Sequence, residues 1–311
     1  MIPSVGTLSG CDFIDIADLE PAQLRELLDL AHAIKAGRWS ERPLEGRHIA
    51  LLFQKPSHRT RVSFEVGIGR LGGRVTNLTE QDVQLGVRET VGDAARVLDS
   101  YVDGVVARLR SHADLLELAA ASEKPVINAL TNRSHPCQIL ADLMTLEAVK
   151  GPLAQQKVVY IGDGNNVAVS LIEAATRMGF SLTVITPPGY APGADVVDGN
   201  LPAGAGGGGV SLSTEVADVS GATAIYTDVW ASMGQESERA VRRRAFAAYQ
   251  VNQALMDRAP GAVFMHCLPA HRGEEVTDEV IDGPRSVVFQ QAANRLYAQM
   301  ALMAQLFGAS H

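Results

Sequence analysis

Polar and basic side chains gather in residues 55–61, Lys-Pro-Ser-His-Arg-Thr-Arg. The apolar run at residues 49–53 before them predicts a buried strand, and a helical pattern with Val62, Val66 and Gly69 on one face follows. The motif therefore stands at the start of a helix, where backbone N–H groups lack partners within the helix and the helix dipole is positive. With hydroxyl and guanidinium donors added, this arrangement suits a phosphate dianion.

A purely structural interpretation of the same motif is equally open at this point. Ser57 is a good N-cap residue, and Arg59 and Arg61 would then lie on a solvated helix face. The motif is neither a Walker loop nor a G-x-G-x-x-G fingerprint. The choice between the two interpretations depends on the rest of the chain.

Six groups of candidate side chains each follow an apolar run of strand length, either directly or within a few residues. They are residues 57–61 after 49–53, Arg108 after 103–107, His135 after 126–129, Asn166 after 157–161, Asp228 after 222–227 and Cys267 after 262–265. Strands and helices alternate along the chain, which predicts an α/β fold with two doubly wound parallel-sheet domains. Ligands bind at the carboxyl edge of such sheets, so we expect the six groups to form one pocket.

The remaining segments are predicted from periodicity and turn residues. They are helices at 21–35, from 90, from 136 and at 290–307, strands at 74–78, 181–186 and 286–289, loops at 80–88 and 187–209, and a charged helix from 236 with a solvated outer face. Pro136 suits the first position of its helix. His135 and Gln138, three residues apart at that start, are expected to point to nearly the same place, although a loop histidine bonded to backbone is the alternative for His135.

Length and composition limit the class of protein. With 311 residues the chain is long enough for two cores, and 46% hydrophobic and 20% charged residues are typical of a soluble globular protein. The net charge of −8 argues against nucleic acid and anionic membranes as partners, so local arginines must hold any anionic substrate. Residues 1–11 do not resemble a signal peptide, and no apolar stretch is long enough to span a membrane. Three cysteines without metal-type spacing favour a reducing cytoplasm.

Residues 162–166, Gly-Asp-Gly-Asn-Asn, follow a predicted strand and open a helix. They resemble a dinucleotide-binding fingerprint, but Val167 stands where the third glycine belongs. A nicotinamide dehydrogenase is therefore a weaker hypothesis.

Five motifs together resemble the aspartate and ornithine carbamoyltransferase family, and its ornithine branch in particular. They are Pro-Ser-His-Arg-Thr-Arg at 56–61, His-Pro-Cys-Gln at 135–138, Gly-Asp-Gly-Asn-Asn at 162–166, Asp-Val-Trp-Ala-Ser-Met-Gly-Gln at 228–235 and His-Cys-Leu-Pro at 266–269. Their order and approximate spacing match across nearly the whole chain. The Ser-Met-Gly and His-Cys-Leu-Pro elements separate the ornithine branch from aspartate carbamoyltransferases and from relatives that act on putrescine or N-acylated ornithine.

The resemblance implies two binding sites. For carbamoyl phosphate it implies Ser57, His58, Arg59, Thr60, Arg108, His135, Gln138, Cys267, Leu268 and Arg295, with Gln84 from a neighbouring subunit. For ornithine it implies Asn166, Asp228, Ser232 and Met233. It also implies a cytoplasmic homotrimer, or a multiple of trimers, with shared active sites and without a metal or cofactor.

The implied reaction is carbamoyl transfer to the δ-amine of L-ornithine, which gives citrulline and phosphate. Arg108, Thr60 and His135 would stabilise the developing oxyanion, while Cys267 and Asp228 would orient and deprotonate the amine. Without its flanking motif, Cys267 is better explained as a small buried hydrophobic residue.

The expected domains are residues 1–150 for carbamoyl phosphate, residues 151–288 for ornithine, and a C-terminal helix at 289–311 that packs back on the first domain. The chain departs from the family pattern at His58, where threonine is usual, and at Ala293, where glutamate is usual before Asn-Arg. A carbamoyltransferase for another amine and a non-catalytic carbamoyl phosphate-binding paralogue stay open as alternatives.

Overall fold

The computed structural model describes residues 5–200, 209–231 and 236–308. It divides into two compact units, which are Met1–Met144 with Asn294–His311, and Thr145–Ala293. Both boundaries between the units lie inside helices, where the amino-acid pattern changes little. The boundaries expected from the sequence, after residues 150 and 288, therefore lie about one to two helical turns away from the observed ones.

A parallel sheet with the strand order β2-β1-β3-β4 forms the centre of the first unit, within the residues described. Its strands are β1 (His48–Phe53), β2 (Arg74–Thr79), β3 (Gly104–Arg108) and β4 (Val126–Leu130). The helices are α1 (Pro21–Lys35), α2 (His58–Arg70), α3 (Glu80–Val83), α4 (Val91–Asp99), α5 (His112–Ala121) and α6 (Pro136–Lys150), with a 3-10 turn at Ile16–Asp18. β3 and β4 are buried along their whole length, as expected for parallel strands with both faces covered, whereas β2 at the edge is partly exposed.

A second parallel sheet, with the order β7-β6-β5-β8-β9, forms the centre of the other unit in the part of the chain that the structure describes. Its strands are β5 (Lys157–Ile161), β6 (Ser181–Ile185), β7 (Val210–Ser213), β8 (Ala224–Thr227) and β9 (Val263–His266). The helices are α7 (Asn166–Met178), α8 (Ala194–Asn200), α9 (Arg239–Phe246), α10 (Gln253–Met256) and α11 (Asp278–Ile281), with 3-10 turns at Leu153–Gln155, Val216–Val219, Glu236–Glu238 and Ala247–Tyr249. The last helix, α12 (Val288–Phe307), begins in the second unit and belongs to the first from Asn294 onward.

The strand order reverses once in each sheet, between β1 and β3 and between β5 and β8. Loops at such a switch point diverge to opposite faces of the sheet and leave a crevice at its carboxyl edge, where ligands bind. At the first switch point residues 57–61 follow β1 and Arg108 is the last residue of β3, and at the second Asn165 follows β5 and Asp228 follows β8. The predicted doubly wound α/β class and the placement of the candidate residues at strand ends are thus confirmed.

Four sequence predictions were wrong or incomplete. Residues 80–88 are not all loop, because Thr79 and Asp82 cap α3 reciprocally in a helix too short to show periodicity. Residues 286–289 do not form a strand: Ser286 makes a single bridge to Phe264, and α12 has begun by Val288. Within the expected loop 187–209, α8 begins at residue 194, while residues 201–208 lie outside the described part.

The fourth error concerns the buried face of α2. Val62 and Val66 are exposed, and the helix instead buries Thr60, Phe64, Gly67 and Ile68. The glycine permits close packing of α12 in the first unit, because an added Cβ would lie only 3.2 Å from the side chain of Met300. Likewise, a Cβ on Gly104 of β3 would collide with the ring of Phe307.

Among the described residues, no helix combines the length and the apolar character needed to cross a membrane.

Candidate functional site

Residues 54–57 form the turn between β1 and α2, and the rest of the 55–61 motif is the start of α2, as predicted. Ser57 is the N-cap of α2, and its hydroxyl accepts the backbone N–H of Thr60 at 3.3 Å. The side chain of Thr60 is buried, those of Ser57 and Arg59 are half-buried, and that of His58 is exposed. The capping role and a phosphate-binding role are compatible, because capping uses one of the N–H groups at the helix start and leaves others directed outward.

A buried chain of hydrogen bonds connects Thr60 to α6 and α12. Arg295 donates from Nη2 to Thr60 Oγ1 at 2.9 Å and from Nη1 to Gln138 Oε1 at 2.8 Å. Gln138 in turn donates from Nε2 to Asp142 Oδ1 at 2.8 Å. These contacts fix the orientation of Arg295, although alanine precedes its Asn-Arg pair, and Asn294 separately accepts a hydrogen bond from Lys35 at 2.7 Å.

His135 carries an uncharged imidazole in this positive environment. Burial lowers its pKa well below 6.5, and the nearby guanidiniums of Arg295, Arg108 and Arg59 lower it further. Arg108 and Arg295 are themselves buried. The first unit therefore brings together three cations, a neutral imidazole and a hydroxyl, which matches the charge of a dianion with a polar carbonyl end.

Gln84 is not part of this arrangement in the described structure. It is exposed at the C-terminal end of α3, in the left-handed conformation with φ of 44°. A cavity of about 350 Å³ at the carboxyl ends of β1 and β2 is lined by Lys55, Ser57 and Gln81 among others. Lys55 was not selected from the sequence, although its place in the 55–61 motif was a signal for it.

The second unit holds a thiol–carboxylate pair at the ends of β8 and β9. Cys267 Sγ donates to Asp228 Oδ1 at 3.0 Å, and Asn165 Nδ2 donates to Asp228 Oδ2 at 2.7 Å. Asn166, the residue selected from the sequence, is the half-buried first residue of α7. Leu268 follows Cys267 with φ of 57° and packs against the core of the second unit.

Asp228, His266 and Cys267 lie close enough together to suggest a metal site. However, His266 Nδ1 accepts the backbone N–H of Leu268 at 2.8 Å, and its Nε2 lies 3.2 Å from Glu275 Oε1. Both ring nitrogens of His266 are thus already used within the protein. This arrangement favours a structural role for the imidazole over a ligand role.

Arg242 holds the segment that follows β8 in place through ion pairs and a hydrogen bond. Arg242 lies 2.9 Å from Asp163 Oδ2 and 2.9 Å from Glu238 Oε2, and it also donates to the carbonyl of Trp230 at 3.0 Å. Arg242 lies on the buried face of this charged helix, whereas Val241, Arg243 and Arg244 on the outer face are exposed, as predicted. Ser232 and Met233, the other residues predicted to bind ornithine, lie outside the described residues.

Gly164, in residues 162–166, is needed for packing against the protein's own backbone. A Cβ on Gly164 would collide with the backbone of Ala191 and Pro192, and Gly164 N donates to Tyr190 O at 2.8 Å. In a dinucleotide fingerprint the second glycine makes room for a pyrophosphate, whereas here it makes room for the protein backbone. The local geometry therefore argues against the dehydrogenase hypothesis.

Comparison with known proteins assigns both parts of the chain to one family. Residues 11–148 match the family model "Aspartate/ornithine carbamoyltransferase, carbamoyl-P binding domain", and residues 154–306 match the "Asp/Orn binding domain" of the same family. The chain is similar to an ornithine carbamoyltransferase of Thermococcus kodakarensis, with 50% identity over 313 residues and 98% of each chain covered. It is also similar to one from Pyrococcus furiosus named as anabolic, at 49% identity with 98% of each chain covered.

Solved structures give the same result. A structure of ornithine carbamoyltransferase from Pyrococcus furiosus matches with a TM-score of 0.94 and 48% identity, covering 97% of this chain and 98% of the other. The enzyme from Thermus thermophilus matches with a TM-score of 0.86 and 41% identity, covering 95% and 98%. With both family models matched along the chain, and with relatives this similar over their full length, the chain belongs to the aspartate/ornithine carbamoyltransferase family.

Proposed function

We propose that the chain is an ornithine carbamoyltransferase, which transfers the carbamoyl group of carbamoyl phosphate to the δ-amine of L-ornithine and yields L-citrulline and phosphate. The observation that carries the proposal is the thiol–carboxylate pair of Cys267 and Asp228, held at 3.0 Å at a sheet edge in a chain about half identical to enzymes of that name. The name of the Pyrococcus furiosus relative supports a role in arginine biosynthesis.

Carbamoyl phosphate is proposed to bind to the first unit. The half-buried Arg59, Ser57 and the N–H groups at the start of α2 hold the phosphate, and His58 lies beside them. Thr60, held by Arg295, and the neutral His135 face the carbamoyl group together with Arg108 and Gln138. Thr60 and Gln138 are fixed by their hydrogen bonds to Arg295, and Arg108 and His135 by burial, so these donors stabilise the developing oxyanion without first having to reorganise.

Ornithine is proposed to bind to the second unit, through Asn166, Asp228, Ser232 and Met233. The neutral δ-amine attacks the carbamoyl carbon, a C–N bond forms, and the C–O bond to phosphate breaks. The leaving phosphate takes the electron pair of that bond, and one of its oxygens accepts the proton that the amine loses. Cys267, paired with Asp228, orients and helps to deprotonate the amine, and Leu268 encloses the site.

The direct test is citrulline formation from carbamoyl phosphate with a panel of acceptors, namely ornithine, putrescine, N-acetylornithine and aspartate. We expect ornithine to be used at the highest kcat/KM. A preference for putrescine or N-acetylornithine would replace the proposal with a carbamoyltransferase for another amine. Binding of carbamoyl phosphate without turnover of any acceptor would replace it with a non-catalytic paralogue.

Two substitutions test the roles proposed for the two units. Arg59→Ala should weaken carbamoyl phosphate binding and lower the rate, because a half-buried guanidinium is removed from the anion site. Cys267→Ala should lower mainly kcat, because the thiol is proposed to act on the amine and not to hold the phosphate group. Arg70→Ala, at the exposed end of the same helix, is the matched control and should change neither constant.

His58 provides a further test. Its side chain is exposed, so we expect His58→Thr to preserve or tighten carbamoyl phosphate binding. A large loss of kcat/KM in this variant would instead assign the imidazole an acquired role.

We also propose a cytoplasmic homotrimer, or a multiple of trimers, in which Gln84 completes a neighbouring subunit's site. An exposed Gln84 and a Val87 that is 82% exposed on the same loop support this proposal. Mixing inactive Gln84→Ala protein with inactive Arg59→Ala protein, followed by subunit exchange, should restore part of the activity. Sedimentation of a monomer, or no recovery despite verified exchange, would contradict shared sites.

A further inference from the structure

Asn165 connects the start of α7 to the carboxylate of Asp228. Its Oδ1 accepts the backbone N–H groups of Val167 at 3.0 Å and Ala168 at 3.2 Å, and the hydroxyl of Tyr160 donates to the same oxygen at 3.2 Å. Because these donors require an oxygen, the amide can be placed in only one orientation. The amide NH₂ must then point the other way, and it donates to Asp228 Oδ2 at 2.7 Å.

The buried carboxylate of Asp228 is consequently held from both sides. One oxygen accepts the Asn165 amide, and the other accepts the thiol of Cys267 at 3.0 Å. Two fixed contacts, one on each oxygen, set the plane of a carboxylate that could otherwise turn about its side-chain bonds. The amide of Asn165 thereby determines where Oδ1 meets the thiol.

We propose that Asn165 is a positioning residue, which acts on the reaction by holding Asp228 against Cys267. This proposal extends the proposed function. The kinetic test below depends on that function, whereas the chemical test does not. In this proposal Asn165 acts only through Asp228 and does not contact the substrate. Its neighbour Asn166 was the asparagine expected at the ornithine site.

The competing explanation is that Asn165 is only the N-cap of α7. Serine caps a helix about as well as asparagine does, so Asn165→Ser keeps the acceptor for the helix and removes the donor for Asp228. Asn252 offers a matched control, since its side chain caps α10 by accepting the N–H of Leu255 at 3.0 Å. Asn252→Ser makes the same chemical change at a cap that is not bonded to Asp228.

The kinetic test compares both variants with the wild type. Loss of a hydrogen bond to a charged acceptor predicts that Asn165→Ser lowers kcat/KM for ornithine about 10- to 100-fold. The KM for carbamoyl phosphate should stay close to wild type, and Asn252→Ser should leave both constants unchanged. Asn165→Asp, which keeps the cap but sets a second carboxylate against Asp228, should lose at least as much. An ornithine kcat/KM within threefold of wild type for Asn165→Ser would overturn the proposal.

The chemical test does not require activity. Cys11 is exposed, whereas burial raises the pKa of the Cys137 thiol to about 12, so in a Cys11→Ser background iodoacetamide should modify mainly Cys267. We expect Asn165→Ser to speed this modification several-fold, because Asp228 no longer holds the thiol hydrogen. Equal rates with and without the substitution, measured by mass spectrometry of the peptide, would overturn the positioning role. A wild type that makes no citrulline would instead refute the proposed function and leave this test intact.

Discussion

Acid destabilisation through His135 can be worked out from its surroundings. The imidazole is 5% exposed, and burial followed by the charges of Arg295, Arg108 and Arg59 lowers its pKa well below 6.5. In the unfolded chain it titrates near 6.5, so below that pH the unfolded state binds a proton that the folded state does not. The stabilisation is complete above pH 6.5 and declines as the pH falls towards the folded pKa. Between pH 8 and pH 5 this one group removes about 2 kcal/mol of unfolding free energy.

The measurement is urea unfolding of the wild type and of His135→Gln at pH 8 and pH 5. The glutamine variant should be less stable at pH 8, since it disturbs a packed site, but it should lose about 2 kcal/mol less than the wild type on acidification. Groups that titrate alike in both proteins cancel in this difference. An equal loss in the two proteins would show that the folded state accepts the proton, and would refute the account of a buried imidazole among cations.

Three further predictions concern packing and charge. Gly164→Ala should cost about 3 kcal/mol and lower the melting temperature by several degrees, because the added methyl group meets the backbone of Pro192. Gly69→Ala, with open space beside it in α2, should instead raise stability by about 0.5–1 kcal/mol, and an equal response of the two glycines would contradict the packing argument. Arg242→Met should cost about 3–5 kcal/mol in urea unfolding, because it leaves the Asp163 carboxylate buried without its cation. Adding Asp163→Asn should recover part of that loss, and no recovery would argue against the ion pair.

Regular elements were predicted well because their signals are local. The helix at residues 21–35 and the strand at residues 157–161 agree with the structure to the residue, since each has a clear apolar pattern with a proline or glycine near its end. The buried face of α2 was predicted incorrectly because Val62 and Val66 are apolar yet exposed, while Thr60 is polar yet buried. Apolar spacing alone does not show which face the sheet covers.

The candidate residues were found through motifs, but their partners were not. Arg295 and Gln138 are 157 positions apart in sequence, and no local pattern indicates their hydrogen bond. Asp142 lies one helical turn after Gln138, which is a spacing that could have indicated it. Asn165 was not selected from the sequence, because its hydrogen bond to Asp228 joins residues 63 positions apart and depends on the end of another strand.

The first unit is discontinuous, since it combines Met1–Met144 with Asn294–His311, whereas the second is a single run of chain. During synthesis the whole second unit is therefore made before Asn294–His311, the part of the chain that completes the first unit. The packing of Gly104 against Phe307 and of Gly67 against Met300 requires residues that are made after the whole second unit. The sheet of the first unit is made first, but that unit is completed only after the second, and a released chain truncated before residue 294 should be protected from proteolysis in the second unit only.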